Sequence, residues 1–251
     1  MIRAKWNVKL TVPDSVDIWI DYYDPVMVKP RIVMLAEPYG KLNDLILRKP
    51  TGYIYLFTYF DILLHLPNVV FHQPAGSFVG PDPDIKKKFC ISNVITNRAN
   101  NAMHYVRREL WARKDEIQIP KDFYTSSRNP HPDRSDLILG YDAKSKIQMF
   151  DCMFHICILT SNQRNYIDEK LIDCLITKTI PVFIGCENIG DFFNVEGMII
   201  CNSVNDMIQK CNNLKESDYY NRMPAIEDNY IRAMKYIPYE KVWSDKINKL
   251  L

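Results

Sequence analysis

Short runs of β-branched and aromatic residues recur along the first third of the chain: "VDIWIDY" (16–22), "RIVMLAE" (31–37), "GYIYLFTY" (52–59) and "NVVFHQP" (68–74). Strands of this kind divided by crossover-length segments predict a parallel sheet with helices on its faces. The stretch "AGSFVGPDPDIKKK" (75–88) then gathers glycine, proline and a charge run, which marks a linker. A second alternation follows. "KFCISNVI" (88–95) reads as a strand, and "NNAMHYVRRELWARK" (100–114) as a helix with Met103, Val106, Leu110 and Trp111 on one face. "SSRNPHPDRSD" (126–136) is a proline-broken polar loop, "AKSKIQMFDCM" (143–153) is helical, and "FHICILT" (154–160) is a buried strand. The stretch "NYIDEKLIDCLITKTIPVFIG" (165–185) supplies a loop, a helix opening at Asp168, Glu169 and Lys170, and a strand ending at Gly185. "GMIICN" (197–202) reads as a strand, and "VNDMIQKCNNL" and the region 215–251 as helices. Two small doubly wound halves facing a cleft are the simplest α/β arrangement with this order.

Composition narrows the class. The chain has 251 residues, 47% of them hydrophobic, and a net charge of +2, enough apolar material for one large domain or two modest ones. A signal-peptide pattern is absent, and so is an apolar run of about 18 residues able to span a bilayer. A soluble, cytoplasmic protein is therefore expected. The seven cysteines are an odd number without CxxC spacing, most of them in apolar runs, and they read as reduced core thiols without structural zinc. The five histidines are scattered and make no metal cluster.

Candidate chemistry sits where strands run into loops. In open α/β sheets ligands lie beyond the carboxyl ends of strands, where helix N-termini present unpaired N–H groups to an anion. Lys170 in the first turn of its helix adds a full charge for a phosphate there. The plain alternative is that Asp168 and Glu169 complement the helix dipole and Lys170 is solvated. Glu37 ends the strand "RIVMLAE" just before Pro38, Tyr39 and Gly40, a position for a general base or for an ordinary turn acid. The basic runs at 86–88 and at Arg107 and Arg108 carry no nucleic-acid-binding motif and read as solvated faces. The aromatic cluster Tyr53, Tyr55, Phe57, Tyr59 and Phe60 reads as a half-buried strand first and a sugar-stacking surface second.

The motif order resembles glycosyltransferase family 10, the α-1,3/1,4-fucosyltransferases, in a short soluble microbial or viral form. "NYIDEKLIDCLITKTIPVFIG" resembles the family's signature of a Tyr, two residues, Glu-Lys, a helix, and an apolar strand that opens with Pro and ends in Gly. "KKKFCISNVITNR" is similar to the strand and Ser-Asn loop that open its donor domain, and "GYDAKSKIQMFDCMFHICIL" to the segment leading into the signature. "RIVMLAEP" resembles the strand whose terminal Glu is the family's proposed base. The resemblance implies a GT-B fold of two Rossmann-like domains, with residues 1–85 binding a glycan acceptor and residues 86–251, including C-terminal helices, binding the donor. It implies an inverting transfer, most readily of L-fucose from GDP-fucose to an acceptor hydroxyl. No cofactor is obligatory and no metal, membrane span or nucleic acid takes part. Carried over by residue, Glu37 is the base, Lys170 holds the diphosphate, and Tyr166 and Glu169 meet the nucleoside and sugar of the donor. Asn162 stands for the family's Asn before the signature, and a viral form would work in the host cytoplasm.

The departures bear on the donor more than on the reaction. The family's acidic-Asn pair appears as Ser161-Asn162, in a shorter loop. Its diphosphate-binding Arg aligns with Met103, leaving Arg98 just ahead, or Arg107 one turn later, to substitute. An arginine pair expected near Tyr59 to Asp61 is missing. The alternatives are another nucleotide sugar, such as a UDP-pentose or GDP-rhamnose, or a non-catalytic carbohydrate- or nucleotide-binding module.

Overall fold

The four early apolar runs form β2 (Asp17–Ile20), β3 (Arg31–Met34), β4 (Tyr55–Thr58) and β5 (Val69–Phe71). With β1 (Ile2–Ala4), which the apolar pattern did not announce, they make a five-stranded parallel sheet in chain order. The computed structural model describes residues 2–4, 9–21, 31–38, 53–82 and 84–251. Most of the connections flanking β3, including Tyr39 and Gly40, and Pro83 of the linker lie outside the described residues.

The second sheet contains β6 (Lys88–Ile95), β7 (Lys121–Ser126), β8 (Leu137–Leu139), β9 (Cys152–Ile158), β10 (Ile180–Ile184) and β11 (Ile199–Ile200). All pairs are parallel, in the order β11-β10-β9-β6-β7-β8. Numbered from β6, that is 3-2-1-4-5-6, the doubly wound order in which the chain reverses direction between the first and fourth strands. β7 and β8 were not anticipated. β7 opens on the polar pair Lys121 and Asp122, and Leu137 and Ile138 of β8 lie on the surface, so neither strand shows a buried apolar run.

Helices connect these strands. α1 (Ala102–Ala112) starts where the Asn101 side chain accepts the His104 N–H at 2.9 Å, and it buries Met103, Leu110 and Trp111 as its periodicity required. The expected helix over 143–153 is a single turn, α2 (Ala143–Lys146), continued by 3₁₀ turns through Asp151. α3 (Glu169–Ile176), α4 (Val204–Asn212), α5 (Glu216–Asn221), α6 (Met223–Ala233) and α7 (Tyr239–Asn248) complete the described helices.

The period-2 alternation of β3 and β4 divides the first sheet into two apolar faces. Ile32, Met34 and Phe57 pack with Trp243 and Ile247, so the last helix of the chain returns to cover the first sheet. Val33, Leu35 and Leu56 join Tyr166, Ile167 and Leu171 in a core continuous with the second half.

The cysteine reading needs one correction. Cys157, Cys174, Cys186, Cys201 and Cys211 are buried free thiols, but Cys90 and Cys152 form a disulfide. The residues are 62 apart in sequence, yet their strands β6 and β9 are neighbours, which brings the Cα atoms to 4.9 Å, within disulfide reach. Spacing along the chain carries no trace of this pair, because sheet order creates it.

Candidate active site

The strand-order reversal leaves a crevice beyond the carboxyl ends of β6 and β9, and a cavity of about 190 Å³ lies there. Val94, Thr96 and Arg98 from the end of β6 line it, together with Ile156, Ile158 and Thr160 from the end of β9. Arg107 of α1, Lys146 of α2, and Glu169, Lys170 and Asp173 of α3 complete the charged lining. Four cations, Arg98, Arg107, Lys146 and Lys170, thus converge beside the N-terminus of α3 against the carboxylates of Glu169 and Asp173.

The helix start is built to hold Lys170. Asp168 is the N-cap: its Oδ1 accepts the Lys170 N–H and its Oδ2 the Thr160 N–H, both at 3.1 Å. A cap of this kind typically contributes about 1 kcal/mol. The Lys170 ammonium donates to Glu169 Oε1 at 2.9 Å and to Asp168 Oδ2 at 3.1 Å, and its side chain keeps 31% exposure. Burial pulls this ammonium down, but Asp168 and Glu169 more than restore it, so it sits above its ordinary value. Burial alone would raise the Glu169 carboxyl; Lys170, by charge and hydrogen bond, brings it down to about 2. Both groups are therefore ionised across the neutral range.

Arg107 is pinned differently. Its Nε and Nη2 donate to the Ile158 carbonyl at 2.9 and 2.6 Å, which fixes the guanidinium at the end of β9. Burial lowers its pKa from so high a starting point that it stays charged. Lys146 rests on aromatic faces, its Nζ 3.6 Å from the Phe78 ring centroid and 4.9 Å from that of Tyr141.

His155 forms part of the lining. Ser92 Oγ lies 2.6 Å from the Met149 carbonyl and 2.7 Å from His155 Nδ1. The hydroxyl has one proton for the carbonyl, so Nδ1–H donates to Ser92 and Nε2 is left as an acceptor. Burial pushes His155 and His72 each down to about 3, so both are neutral in the folded protein. Unfolded, they bind protons below pH 6.5, and stability falls as pH drops from there toward 3. Each histidine contributes a slope of about 1.4 kcal/mol per pH unit below about pH 6. Asp173, raised by burial to about 6, acts in the opposite sense between pH 6 and 4. Urea titrations at pH 7.5, 6 and 5 should show a shallower pH slope in His155→Gln than in wild type; equal slopes would refute the neutral assignment.

Of the residues expected from sequence, Arg98, Glu169 and Lys170 line the cavity together, while Glu37, Asn162 and Tyr166 do not. Asn162 is exposed on the loop before α3. Tyr166 is buried at the seam between the sheets, its ring 5.4 Å from that of Tyr59. Tyr59 donates its hydroxyl to the Glu37 carbonyl at 3.1 Å, and buried Asp21 accepts the Ala36 and Glu37 N–H groups at 2.8 and 3.0 Å. The Glu37 turn is thus fixed to Tyr166, three residues before α3. Asn165, in a left-handed conformation with φ 63°, donates to the Tyr59 carbonyl and to Asp61, and its own carbonyl accepts from Gln73. This one residue ties the loop before α3 to the ends of β4 and β5.

Lys146, Phe78, Tyr141, Asp173 and His155 were missed. Lys146 and Tyr141 lie in "GYDAKSK", Phe78 lies in the linker, and Asp173 and His155 read as residues of a buried helix and strand. Among the described residues, Cys90, Asp122 and Cys152 alone lie close enough to hold a metal ion, and two of them share the disulfide.

No family model matches the chain, and no curated protein is similar to it in sequence. Solved structures are similar in fold. An α1,3-fucosyltransferase with GDP-fucose superposes with a TM-score of 0.54 at 15% identity, over 83% of this chain and 68% of that one. TarM gives 0.55 at 13% identity, over 95% of this chain and 55% of that one. A T4 phage BGT mutant in complex with UDP-glucose gives 0.51 at 11% identity, over 93% and 73%. At these identities the likeness establishes architecture: the chain is an α/β protein with parallel sheets and the GT-B fold of these glycosyltransferases.

Proposed function

We propose that the protein is a glycosyltransferase that draws a sugar from a nucleoside diphosphate donor, GDP-fucose before other nucleotide sugars, and transfers it with inversion to a glycan hydroxyl. The observation that carries the reading is the convergence of Arg98, Arg107, Lys146 and Lys170 at the switch point of a doubly wound sheet, beside the N-terminus of α3. A diphosphate leaving group gains negative charge as the glycosidic bond breaks. Fixed cations and N–H groups at that position favour the transition state over the ground state. Residues 86–251 would hold the donor and residues 1–85 the acceptor.

In this mechanism Glu37 takes the proton of the acceptor hydroxyl while its oxygen attacks the anomeric carbon from the face opposite the diphosphate. The anomeric centre passes through an oxocarbenium-like state. Lys170, Arg98 and Arg107 stabilise the departing diphosphate and Glu169 meets the nucleoside and sugar, while buried Tyr166, packed on Tyr59, supports the Glu37 turn. Asp21 and Tyr59 hold the Glu37 turn in place.

Thermal shift against GDP, UDP and dTDP sugars tests the reading. A donor at about 100 times its dissociation constant adds ~2.7 kcal/mol to the folded state. Stabilisation by at least one nucleotide sugar, greatest for GDP-fucose, is expected. A shift for a UDP-sugar alone would move the assignment to that donor, and no shift with any would sink it.

A further inference from the structure

A second cavity, of about 670 Å³, lies at the carboxyl end of β5, and none of the residues assigned to transfer lines it. Its volume falls within the roughly 300–1,000 Å³ of small-molecule sites. Phe71 and His72 from β5, Trp243 and Lys246 from α7, and Phe192 and Lys235 from the second half contribute to its lining. The charges there do not balance. Asp228 accepts from Arg232 Nε at 2.9 Å and Asp191 from Asn188 Nδ2 at 2.8 Å, so both carboxylates of the cavity are engaged. Lys235 and Lys246 form no salt bridge among the described residues. Lys246 Nζ lies 3.4 Å from Nδ1 of buried His72, which is neutral and offers a lone pair but no charge. Burial lowers the Lys246 pKa, as expected of an ammonium without a counter-ion. In the same cavity the Phe71 and Phe192 rings lie nearly parallel, inclined by 10° with centroids 6.3 Å apart, and Phe71 keeps 42% exposure. β3 and β5 flank β4 and end level with each other, Met34 pairing with Phe57 and Phe71 with Thr58. The cavity therefore lies on the sheet edge that carries the Glu37 turn, two strand spacings or about 10 Å from it.

We propose that this cavity is a saccharide site separate from the diphosphate cavity and that it takes an acidic sugar. The carboxylate or phosphate of the saccharide meets Lys235 and Lys246, and the C–H face of a pyranose ring packs on Phe71. An anion neutralises ammonium groups that the protein itself leaves uncompensated, and hydrogen bonds between ionised partners are the strong ones. A neutral sugar would leave both charges as they are. The open Phe71 ring in turn favours a sugar over a bare anion, because an aromatic face gains by covering apolar C–H surface and a phosphate ion has none to offer. As the place where the acceptor is held, the site rests on the glycosyltransferase reading, and it makes acidic glycans the acceptor class. At about 10 Å from the Glu37 turn, the acidic unit stands about two sugars away from the hydroxyl that is glycosylated.

Isothermal titration at pH 7.5 with cellobiouronic acid, cellobiose and inorganic phosphate, each with and without saturating GDP, tests the assignment. The two disaccharides differ by one carboxylate. Wild type should bind the acid about tenfold or more tightly than cellobiose, the effect of one hydrogen bond to a charged group, and GDP should leave that affinity within about threefold. Replacing both lysines, Lys235→Gln with Lys246→Gln, should abolish the preference for the acid. Phe71→Ala, at an exposed ring, should weaken both disaccharides and leave phosphate unchanged. No binding of the acid, disaccharide affinities within about threefold of each other, phosphate bound as tightly as the acid, a preference that survives the double lysine variant, or displacement by GDP would each overturn the proposal and leave the diphosphate site standing. Failure of GDP to bind while the acid binds would instead remove the transferase reading, and with it the acceptor role of this cavity.

Discussion

Lys170→Ala should lower the rate of sugar transfer about 10²–10³-fold, the typical loss when one fixed donor to a developing anion is removed. The fold should survive, because the side chain is partly exposed and the helix keeps its Asp168 cap. Its neighbours make the effect specific. With Lys170 gone, the ionised Glu169 loses its hydrogen-bonded cation and faces the diphosphate, so repulsion adds to the lost attraction. Arg107→Ala should cost a comparable factor in rate but also loosen the end of β9, where Arg107 holds the Ile158 carbonyl. Steady-state release of the nucleoside diphosphate from both variants, alongside urea denaturation, separates the two outcomes. A Lys170→Ala rate within about threefold of wild type would remove the lysine from the mechanism.

Glu37→Gln should cost about 10²–10⁴-fold in kcat, the range for losing a positioned general base, and leave donor binding unchanged. The substitution keeps the backbone N–H that Asp21 accepts and the carbonyl that Tyr59 bonds, so these two anchors of the turn are preserved while the side chain loses its capacity to take a proton. Unaltered donor affinity with a large loss of kcat is the signature of a residue that acts on the acceptor. If GDP affinity fell in step with kcat, Glu37 would be supporting the donor site through Tyr59 and Tyr166. A kcat within threefold of wild type would exclude the base role.

Legibility followed the strength of local patterns. β6 coincides with "KFCISNVI", and α3 opens at Glu169 behind its Asp168 cap as the dipole-matched acids required, because both signals lie within a single element. β7 and β8 escaped because a polar opening and a surface edge hide the apolar run that announces a buried strand. Their absence from the reading hid the part of the wall made by Ser126, Leu139 and Tyr141. Arg98 and Lys170 were within reach because motif and helix position converge on them. Lys146, Phe78 and Asp173 were not, since a linker aromatic, a lysine on a one-turn helix and an acid inside an apolar helix acquire meaning only when sheet order brings them together. The same reason explains the Cys90–Cys152 pair.

The structure of a complex with GDP-fucose tests the central claim most directly. The account predicts density for the diphosphate among Arg98, Arg107, Lys146 and Lys170 at the N-terminus of α3, with the sugar directed toward Glu37. A nucleotide seated away from these four side chains, or none at saturating donor, would contradict it.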